Sequence, residues 1–471
     1  MKLNMKNLKL PDTLVLIFSI MLLVAILTWI LPGGSYERQA INGREILIPD
    51  SYKEVQNVPQ ELGAVLMAPI KGFIEASQII AFVLIVGGAF VVIQKTGAVD
   101  ALIYKIAESH DHSKAIRFLL IPLLMLIFSL FGSVFGMSEE VIPFILIFVP
   151  LAISLGYDSI VGVAIPFVGA GAGFAGAFIN PFTIGIAQGI AELPPLSGMI
   201  YRIICWLIVS TMAITFVVIY AAHIRKNPKK SRMYHIDQIW RDHVAEVKED
   251  TLTGNMSGSH VFILVLFATG MIGLILGVIF GGWYINEIAA LFLGLALIIG
   301  FISHLTINQI AGGFVEGAKE LVKVAFIIAL ARSILVVASD GRIIDSILHG
   351  LSSLVSGAHP VFAAQLMFFV QSIINVFIPS GSGQAALVMP IMAPLGDLLG
   401  VTRQTAVLAF QFGDGFTNLI IPTSGVTMGV LGVAKIPFEK WFVWVLPLMI
   451  IFFILGLILL IPPVLMHWGP F

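Results

Sequence analysis

Nine apolar runs dominate the chain, each long enough to cross the roughly 30 Å hydrocarbon core of a bilayer at about 1.5 Å per helical residue. They cover Thr13 to Leu31, Glu75 to Ile93, Ile160 to Ile190, Ile200 to Ala222, His260 to Phe280, Ile285 to Ile302, Glu320 to Ser339, Thr405 to Val433 and Trp441 to Leu460. Where no water reaches the backbone, its N–H and C=O groups must be paired within each segment, so the chain is expected to be an all-α polytopic membrane protein. Charged residues make up only 11% of the 471, against roughly 25% in soluble proteins, which excludes a water-soluble enzyme. With 26 Lys/Arg against 27 Asp/Glu, no nucleic-acid partner and no basic membrane-surface role is indicated. The single cysteine, Cys205, lies inside an apolar run, leaving no disulfide framework and no cysteine metal cluster. No small-residue cleavage site follows the first run, so it is read as a retained helix.

Two further stretches do not fit as ordinary spans. Ile116 to Phe131 and Val141 to Leu155 flank a polar centre, Gly132-Ser-Val-Phe-Gly-Met-Ser-Glu-Glu140. Val361 to Ile378 and Ala385 to Leu399 likewise flank Pro379-Ser-Gly-Ser-Gly-Gln384. The first pair of arms, of about 15 to 16 residues, rises only about 23 Å. Both units are therefore read as re-entrant helical hairpins (116–155 and 361–399) with tips at mid-membrane, a geometry tolerated where broken backbone is buried in protein or lines a cavity. With a cytoplasmic N-terminus this layout places 18 Lys/Arg inside and 7 outside, with Arg332 within a span. That bias satisfies the positive-inside rule and points to a multi-pass protein of the cytoplasmic (inner) membrane.

The chain also repeats itself. A shift of 244 residues over Ser138 to Gly171 yields nine identities, among them Ser138/Ser382, Pro150/Pro394 and Gly169/Gly413, where about three are expected by chance. Glu75/Glu320 and Gly33-Gly34/Gly281-Gly282, at offsets of 245 and 248, extend the match. Residues 1–222 and 260–471 thus read as two repeats joined by a cytoplasmic linker, 223–259, a solvated loop with a short amphipathic stretch around Ile236 to Trp240. The first hairpin opens from the cytoplasm and the second from outside, so the repeats are inverted, the pattern of secondary transporters with a midplane site.

Four polar breaks carry the candidate chemistry. Each hairpin tip is followed by a Gly/Pro-broken span: Gly169 to Thr183, with Asn180-Pro181, and Gly413 to Ser424, with Asp414, Thr417, Asn418, Pro422 and Thr423. Such breaks free carbonyls for a cation and amides for an anion. Ser138, Glu139 and Glu140 open the second arm of the first hairpin, where one residue serves as a cap but two buried carboxylates exceed what a cap needs. Asp414 is a third acid expected near the midplane, and Arg332, which aligns with Gly87, is the one base placed there. Three acids against one base favour a cationic substrate group, Na⁺ or H⁺. At the second tip, Ser380, Gly381, Ser382, Gly383 and Gln384 let backbone amides converge on a carboxylate. A carboxylate at one tip and a cationic end at Glu139, Glu140 or Asp414 describe an amino acid, preferably a basic one. No cofactor is expected. Coupling to Na⁺, through oxygens of Asn180, Thr417, Asn418 and Thr423, or to H⁺, through Glu139, Glu140 or Asp414, is left open by the spacing.

At these residues the chain resembles the YfcC-type branch of the C4-dicarboxylate anaerobic carrier family, within the ion transporter superfamily. The most specific pieces are GMSEEVIPF (Gly136 to Phe144), GAFINPFT (Gly176 to Thr183), PSGSGQAALVMP (Pro379 to Pro390) and DGFTNLIIPTSG (Asp414 to Gly425). The resemblance implies a secondary carrier of carboxylates or amino acids, with some members labelled basic amino acid or arginine/ornithine antiporters. It also implies an elevator fold, with a dimerising scaffold and a transport domain made of the hairpins and broken helices. By resemblance, Ser138 to Glu140, Asn180 to Thr183, Ser380 to Gln384 and Asp414 to Ser424 would form the substrate and coupling-ion sites. The tips depart from the Ser-Asn-Thr pattern of superfamily dicarboxylate carriers, which argues against a dicarboxylate here.

The competing readings are a Na⁺- or H⁺-coupled dicarboxylate or short-chain carboxylate carrier, a channel, and an intramembrane aspartyl protease. A net-positive site would favour the first, and the sequence shows none. A channel fits broken inverted repeats less well than a carrier does. The protease needs paired buried acids, and Asp158 falls at a hairpin exit rather than beside Asp414.

Overall fold

The computed structural model describes residues 13–469 apart from 42–43, 49–50, 113, 243, 245–256, 284 and 354–357. The chain is mostly helical, as its apolar runs dictate. The expectation of an all-α protein needs one correction, because two antiparallel ribbons follow the first helix, α1 (Thr13–Ile30). Strand β1 (Gly33–Ser35) pairs with β4 (Lys53–Val55), and β2 (Arg38–Ile41) pairs with β3 (Arg44–Leu47).

Among the described residues, seven helices are long and apolar enough to cross a membrane. The expected nine runs differ from these in definite ways. Glu75 to Ile93 is preceded by a separate helix, α2 (Leu62–Glu75), with α3 (Ser77–Gln94) starting after a bend at Ala76. After α4 (Ala98–His112) comes α5 (Lys114–Phe135), a helix of 22 residues. It rises about 33 Å, so the argument from short arms does not hold for it. Helical hydrogen bonding runs on through Gly132 to Phe135 because a glycine and a serine are tolerated in a helix whose neighbours bury it. The chain reverses after Gly136, whose φ of +76° favours glycine, and returns as α6 (Ile142–Ser154). Phe128 of α5 packs edge-on against Phe144 and Phe148 of α6.

The run Ile160 to Ile190 is not one helix. It forms α7 (Ser159–Val163), a π-helical turn, α8 (Gly169–Ala175), an irregular stretch, a second π turn at Pro181–Gly185 and α9 (Ile186–Ile190). The break falls at Asn180-Pro181, where proline supplies no amide donor. Helix α10 (Met199–Lys226) closes this half.

The second half holds α11 (Gly258–Gly281), α12 (Ile285–Ile302) and the 34-residue α13 (Ile307–Asp340), which starts on a Thr306/Gln309 capping box. Then come α14 (Ile344–Ser353), α15 (Pro360–Phe377), α16 (Gly381–Leu398), α17 (Arg403–Thr417), α18 (Gly425–Val433), α19 (Phe438–Leu459) and α20 (Ile461–Leu465). Asn418 to Ser424 is the second break, between α17 and α18.

Two sets of helix contacts stand out, joined where α18 packs on α13. Helix α13 lies against α1, α2 and α3, with α12 on α3. Its contact with α3 is backbone to backbone, for a Cβ on Gly317 would fall 2.4 Å from the Gly87 carbonyl. The hairpins pack on the broken helices, α5 on α8 and both α15 and α16 on α17. At the first of these crossings a Cβ on Gly132 would sit 2.1 Å from the Ala170 carbonyl. Small residues permit this approach where no hydrophobic force drives helix association in lipid.

The linker departs from the solvated loop expected of it. Its residues 243 and 245–256 lie outside the described part, but Ser231, Asp237 and Trp240 are docked. Asp158 caps α7 by accepting from the Val161 amide at 3.0 Å, and its other oxygen accepts from Tyr220 and linker Ser231 hydroxyls, both at 2.6 Å. Linker Asp237, fully buried, accepts from the Ser159 amide at 2.9 Å. Trp240 donates to the Ala434 carbonyl in the other half at 3.3 Å. The apolar side of the stretch around Ile236 to Trp240 is thus used to join the halves.

Candidate functional site

The first break meets both hairpin tips. Asn180 is fully buried. Its amide donates to the Ser133 carbonyl of α5 at 3.1 Å, and its Oδ1 accepts from the Phe182 amide at 3.0 Å. A Cβ on Gly136 of the first tip would fall 2.5 Å from that Oδ1. With Oδ1 engaged, Asn180 is left with a donor, Nδ2, which has no hydrogen-bond partner among the described residues. It was a candidate ligand for a cation; the group it leaves unpartnered here is a donor, while Oδ1 keeps a second lone pair. Three residues on, Thr183 reaches the second tip: its Cγ2 would stand 2.5 Å from a Cβ on Gly381.

Asp414 completes this junction. Its Oδ1 accepts from Asn418 Nδ2 at 3.1 Å, while its Oδ2 would lie 2.9 Å from a Cβ on Gly381. Asp414 is fully buried, and its Oδ2 and Thr183 Oγ1 are without hydrogen-bond partners among the described residues. A buried polar atom left so costs roughly 1–3 kcal/mol, more when charged. Both residues approach Gly381, and an unsatisfied carboxylate oxygen and an unsatisfied hydroxyl are groups chemically able to take a proton or a hard cation.

The rest of the second break is more satisfied than a free cation cage. Thr427 Oγ1 donates to the Asn418 carbonyl and Trp441 Nε1 to the Leu419 carbonyl, the latter at 2.8 Å. Thr417 donates to the Gly413 carbonyl at 2.6 Å, and Ser424 caps α18 through the Thr427 amide. Thr423 Oγ1 is buried with no hydrogen-bond partner among the described residues. Asn375, unremarked in the sequence, organises this region. Its Nδ2 lies 3.0 Å from the Asp414 carbonyl, 2.7 Å from Thr417 Oγ1 and 2.8 Å from Asn418 Oδ1, and its two protons serve two of these at a time. The signal was present as Gln371 and Asn375, four residues apart on one face of an apolar arm.

At the second tip Ser380 caps α16, accepting from the Gly383 amide at 3.4 Å. The Gln384 amide is bound to the Ser380 carbonyl, so of the expected nest the Gly381 and Ser382 amides are the first-turn donors that remain. Gln384 turns inward, its Nε2 donating to Gln371 of α15. At the first tip Ser138 makes no side-chain cap; instead Glu140 Oε2 accepts from the Ser138 amide at 2.9 Å. The Glu139 and Glu140 turn packs against α12. Ser138 lines a cavity of about 30 Å³ with Asn418 and Ser424, room for an ion or a water but well short of a ~300 Å³ ligand pocket.

The large cavity is elsewhere. A volume of about 810 Å³ adjoins the second tip, lined by Ser380 and Gly383 together with Arg38, Arg332, Arg342, Glu75 and Asp345. Arg332 therefore does not sit among the three midplane acids. Its Nε donates to Glu75 Oε2 at 2.9 Å, across from α13 to α2. Arg38 Nη2 meets both oxygens of Asp345, at 2.7 and 2.8 Å. Among the described residues, the base that is buried is Arg202. It is 0% exposed, with Nη1 on Gln404 Oε1 at 3.2 Å and Nη2 3.5 Å from the Phe178 carbonyl just before the first break. No group of three or more His, Cys, Asp or Glu suited to a metal occurs among the described residues.

The family model described as DcuC, C4-dicarboxylate anaerobic carrier, matches residues 10–465. The chain is 37% identical over 470 residues to an Escherichia coli (strain K12) protein named "Putative basic amino acid antiporter YfcC", covering 92% of each. It is 30% identical over 500 residues to an uncharacterized protein of Haemophilus influenzae (strain ATCC 51907 / DSM 11121 / KW20 / Rd), covering 97% of each. Among solved structures it matches the YdaH transporter of Alcanivorax borkumensis, at 14% identity and a TM-score of 0.43, over 98% of this chain and all of that one. It also matches MtrF of Neisseria gonorrhoeae, described as one of a class of antimetabolite efflux pumps, at 17% identity and a TM-score of 0.43 over 98% of each.

Proposed function

The chain belongs to the C4-dicarboxylate anaerobic carrier family and is a membrane transporter rather than an enzyme; from that premise we propose that it carries amino acids, basic ones foremost, by secondary active exchange. The observation that carries this reading is the junction at Gly381, where a buried carboxylate, Asp414, keeps one oxygen without a hydrogen-bond partner among the described residues, beside the amide-bearing tip. A carboxylate held by the Gly381 and Ser382 amides and a cationic end neutralising Asp414 would satisfy both sets of groups. In the absence of substrate the same oxygens, with Thr183 Oγ1, suit H⁺ or Na⁺, so exchange and ion coupling use one site. The name of the Escherichia coli relative supports the substrate class.

In this reading 1–222 and 260–471 are inverted repeats around the site. The two hairpins are re-entrant and move with the broken helices against the α1–α3, α12 and α13 scaffold as an elevator. The scaffold dimerises in the inner membrane, with the N-terminus cytoplasmic. A second reading, a carboxylate or dicarboxylate carrier, is favoured by the cavity at the second tip, where three guanidinium groups face two carboxylates.

Counterflow in proteoliposomes tests both. Unlabelled arginine, ornithine or succinate is loaded and the entry of each labelled compound is followed, with and without a Na⁺ gradient. Labelled arginine entering only against internal arginine or ornithine is the expected result. Succinate uptake with arginine inert would replace this reading by the second, and inertness of all three would remove both.

A further inference from the structure

The cavity of about 810 Å³ has a charge pattern that the junction at Gly381 does not use. Three arginines line it against two carboxylates, and two of the arginines are spoken for: Arg38 by Asp345 and Arg332 by Glu75. Arg342 is exposed on the wall and makes no ion pair among the described residues. Its backbone is held rigidly. It adopts a φ of +57°, its amide donates to the Ser339 carbonyl and its carbonyl accepts from the Gly34 amide of β1, both at 2.9 Å. A non-glycine residue in this conformation persists only where its surroundings determine it, and here they fix the backbone of an exposed arginine on the wall of a cavity that the half-buried Ser380 and Gly383 also line.

We infer that Arg342 is a carboxylate-capture site, an entry subsite that draws an anionic group into the cavity and presents it to the second tip. A planar guanidinium with free donors is the side chain best matched to a carboxylate. A cleft of one net sign with low-dielectric walls concentrates the opposite charge. The order of events follows from position: the carboxylate meets Arg342 first and the tip amides second, so the acid end leads. The inference rests on the transport reading for its purpose, but it holds for an amino acid and for a dicarboxylate alike, since both carry the group that Arg342 selects.

The test exploits the chain's single cysteine. In the full-length protein carrying Cys205→Ala, Ser339→Cys puts one thiol on the cavity wall. Its rate of modification in detergent by an anionic (sulfonatoethyl) and a cationic (trimethylammonioethyl) methanethiosulfonate is read by mass spectrometry, each normalised to a free thiol. The expected result is a roughly tenfold preference for the anionic reagent at low ionic strength, decaying toward unity as salt screens it. Adding Arg342→Gln should abolish the preference. No anionic preference, or one that survives Arg342→Gln, would overturn the proposal. Leu335→Cys, on the same wall, replaces Ser339→Cys if that variant does not fold. An anionic preference in a protein inert in counterflow would sink the transport reading and uphold the capture site, whereas active counterflow with no preference would do the reverse.

Discussion

A methyl group on Gly381 would stand 2.9 Å from Asp414 Oδ2 and 2.5 Å from Thr183 Cγ2, so the second tip touches both broken helices at a position where only a hydrogen fits. This one residue ties together three segments that lie far apart in the chain. Any ion, proton or substrate group that uses Asp414 is held within reach of the tip.

Gly381→Ala should therefore lower counterflow at least tenfold, because the buried Asp414 and Thr183 side chains have little room to yield. Gly294→Ala is the control. Nothing lies within 4 Å of its would-be Cβ, and in a helix interior alanine is favoured by about 1 kcal/mol over glycine. Equal rates for the two variants would show that the tip contact does not bear on transport.

Asp414→Asn keeps the shape of the junction and removes its charge. If Asp414 meets the cationic end of the substrate, arginine counterflow should fall more than tenfold while exchange of citrulline, its neutral isostere, changes by less than about threefold. Parallel loss of both would assign Asp414 to coupling alone.

Glu75→Gln releases Arg332 into the large cavity. The pair is roughly two-fifths exposed on each side, so its loss should cost no more than about 1 kcal/mol of stability. The cavity gains one net positive charge, and the anionic reagent at Ser339→Cys should react several-fold faster than with Glu75 in place. A slower reaction would mean that Arg332 does not face the cavity once freed.

The docked linker should respond to pH. Burial raises both acids, Asp158 above its usual range and Asp237 to about 6, with Arg241 opposing the shift only weakly. A carboxyl raised in the folded state stabilises the fold when protonated. For Asp237 that contribution is full below the ordinary value near 4 and is lost as pH climbs through about 6, at up to about 1.4 kcal/mol per pH unit. Asp237→Asn can still accept from the Ser159 amide, so thermal stability at pH 7.5 should rise and its slope between pH 4 and 6 should flatten. An unchanged slope would show that Asp237 does not titrate in that window.

Much of this molecule was legible in the chain. Apolar run length and polar interruptions located the helices and both breaks, and Asn180-Pro181 and Asn418 to Ser424 are irregular in the structure because proline and buried side-chain oxygens compete with helical bonding there. The first arm was misjudged because Gly132 to Phe135 reads as a tip in isolation, while in the fold α8 packs on it and keeps it helical. The linker was misjudged for a related reason: Ser231, Asp237 and Trp240 look solvent-facing until Asp158 and Ala434 are brought beside them.

Local forces act over a few residues, and the sequence by itself therefore determined which segments are apolar and helical, where two of those stretches break and which polar groups must be hidden. The partners of those groups came only with the tertiary structure. Arg332 pairs with Glu75, 257 residues away, and not with a midplane acid. Arg202 is buried on Gln404, and Asn375 gathers Asp414, Thr417 and Asn418. The physical reason is that a buried charge or amide takes whichever partner packing delivers within about 3 Å, and helix packing, unlike helix formation, depends on residues that no local pattern relates.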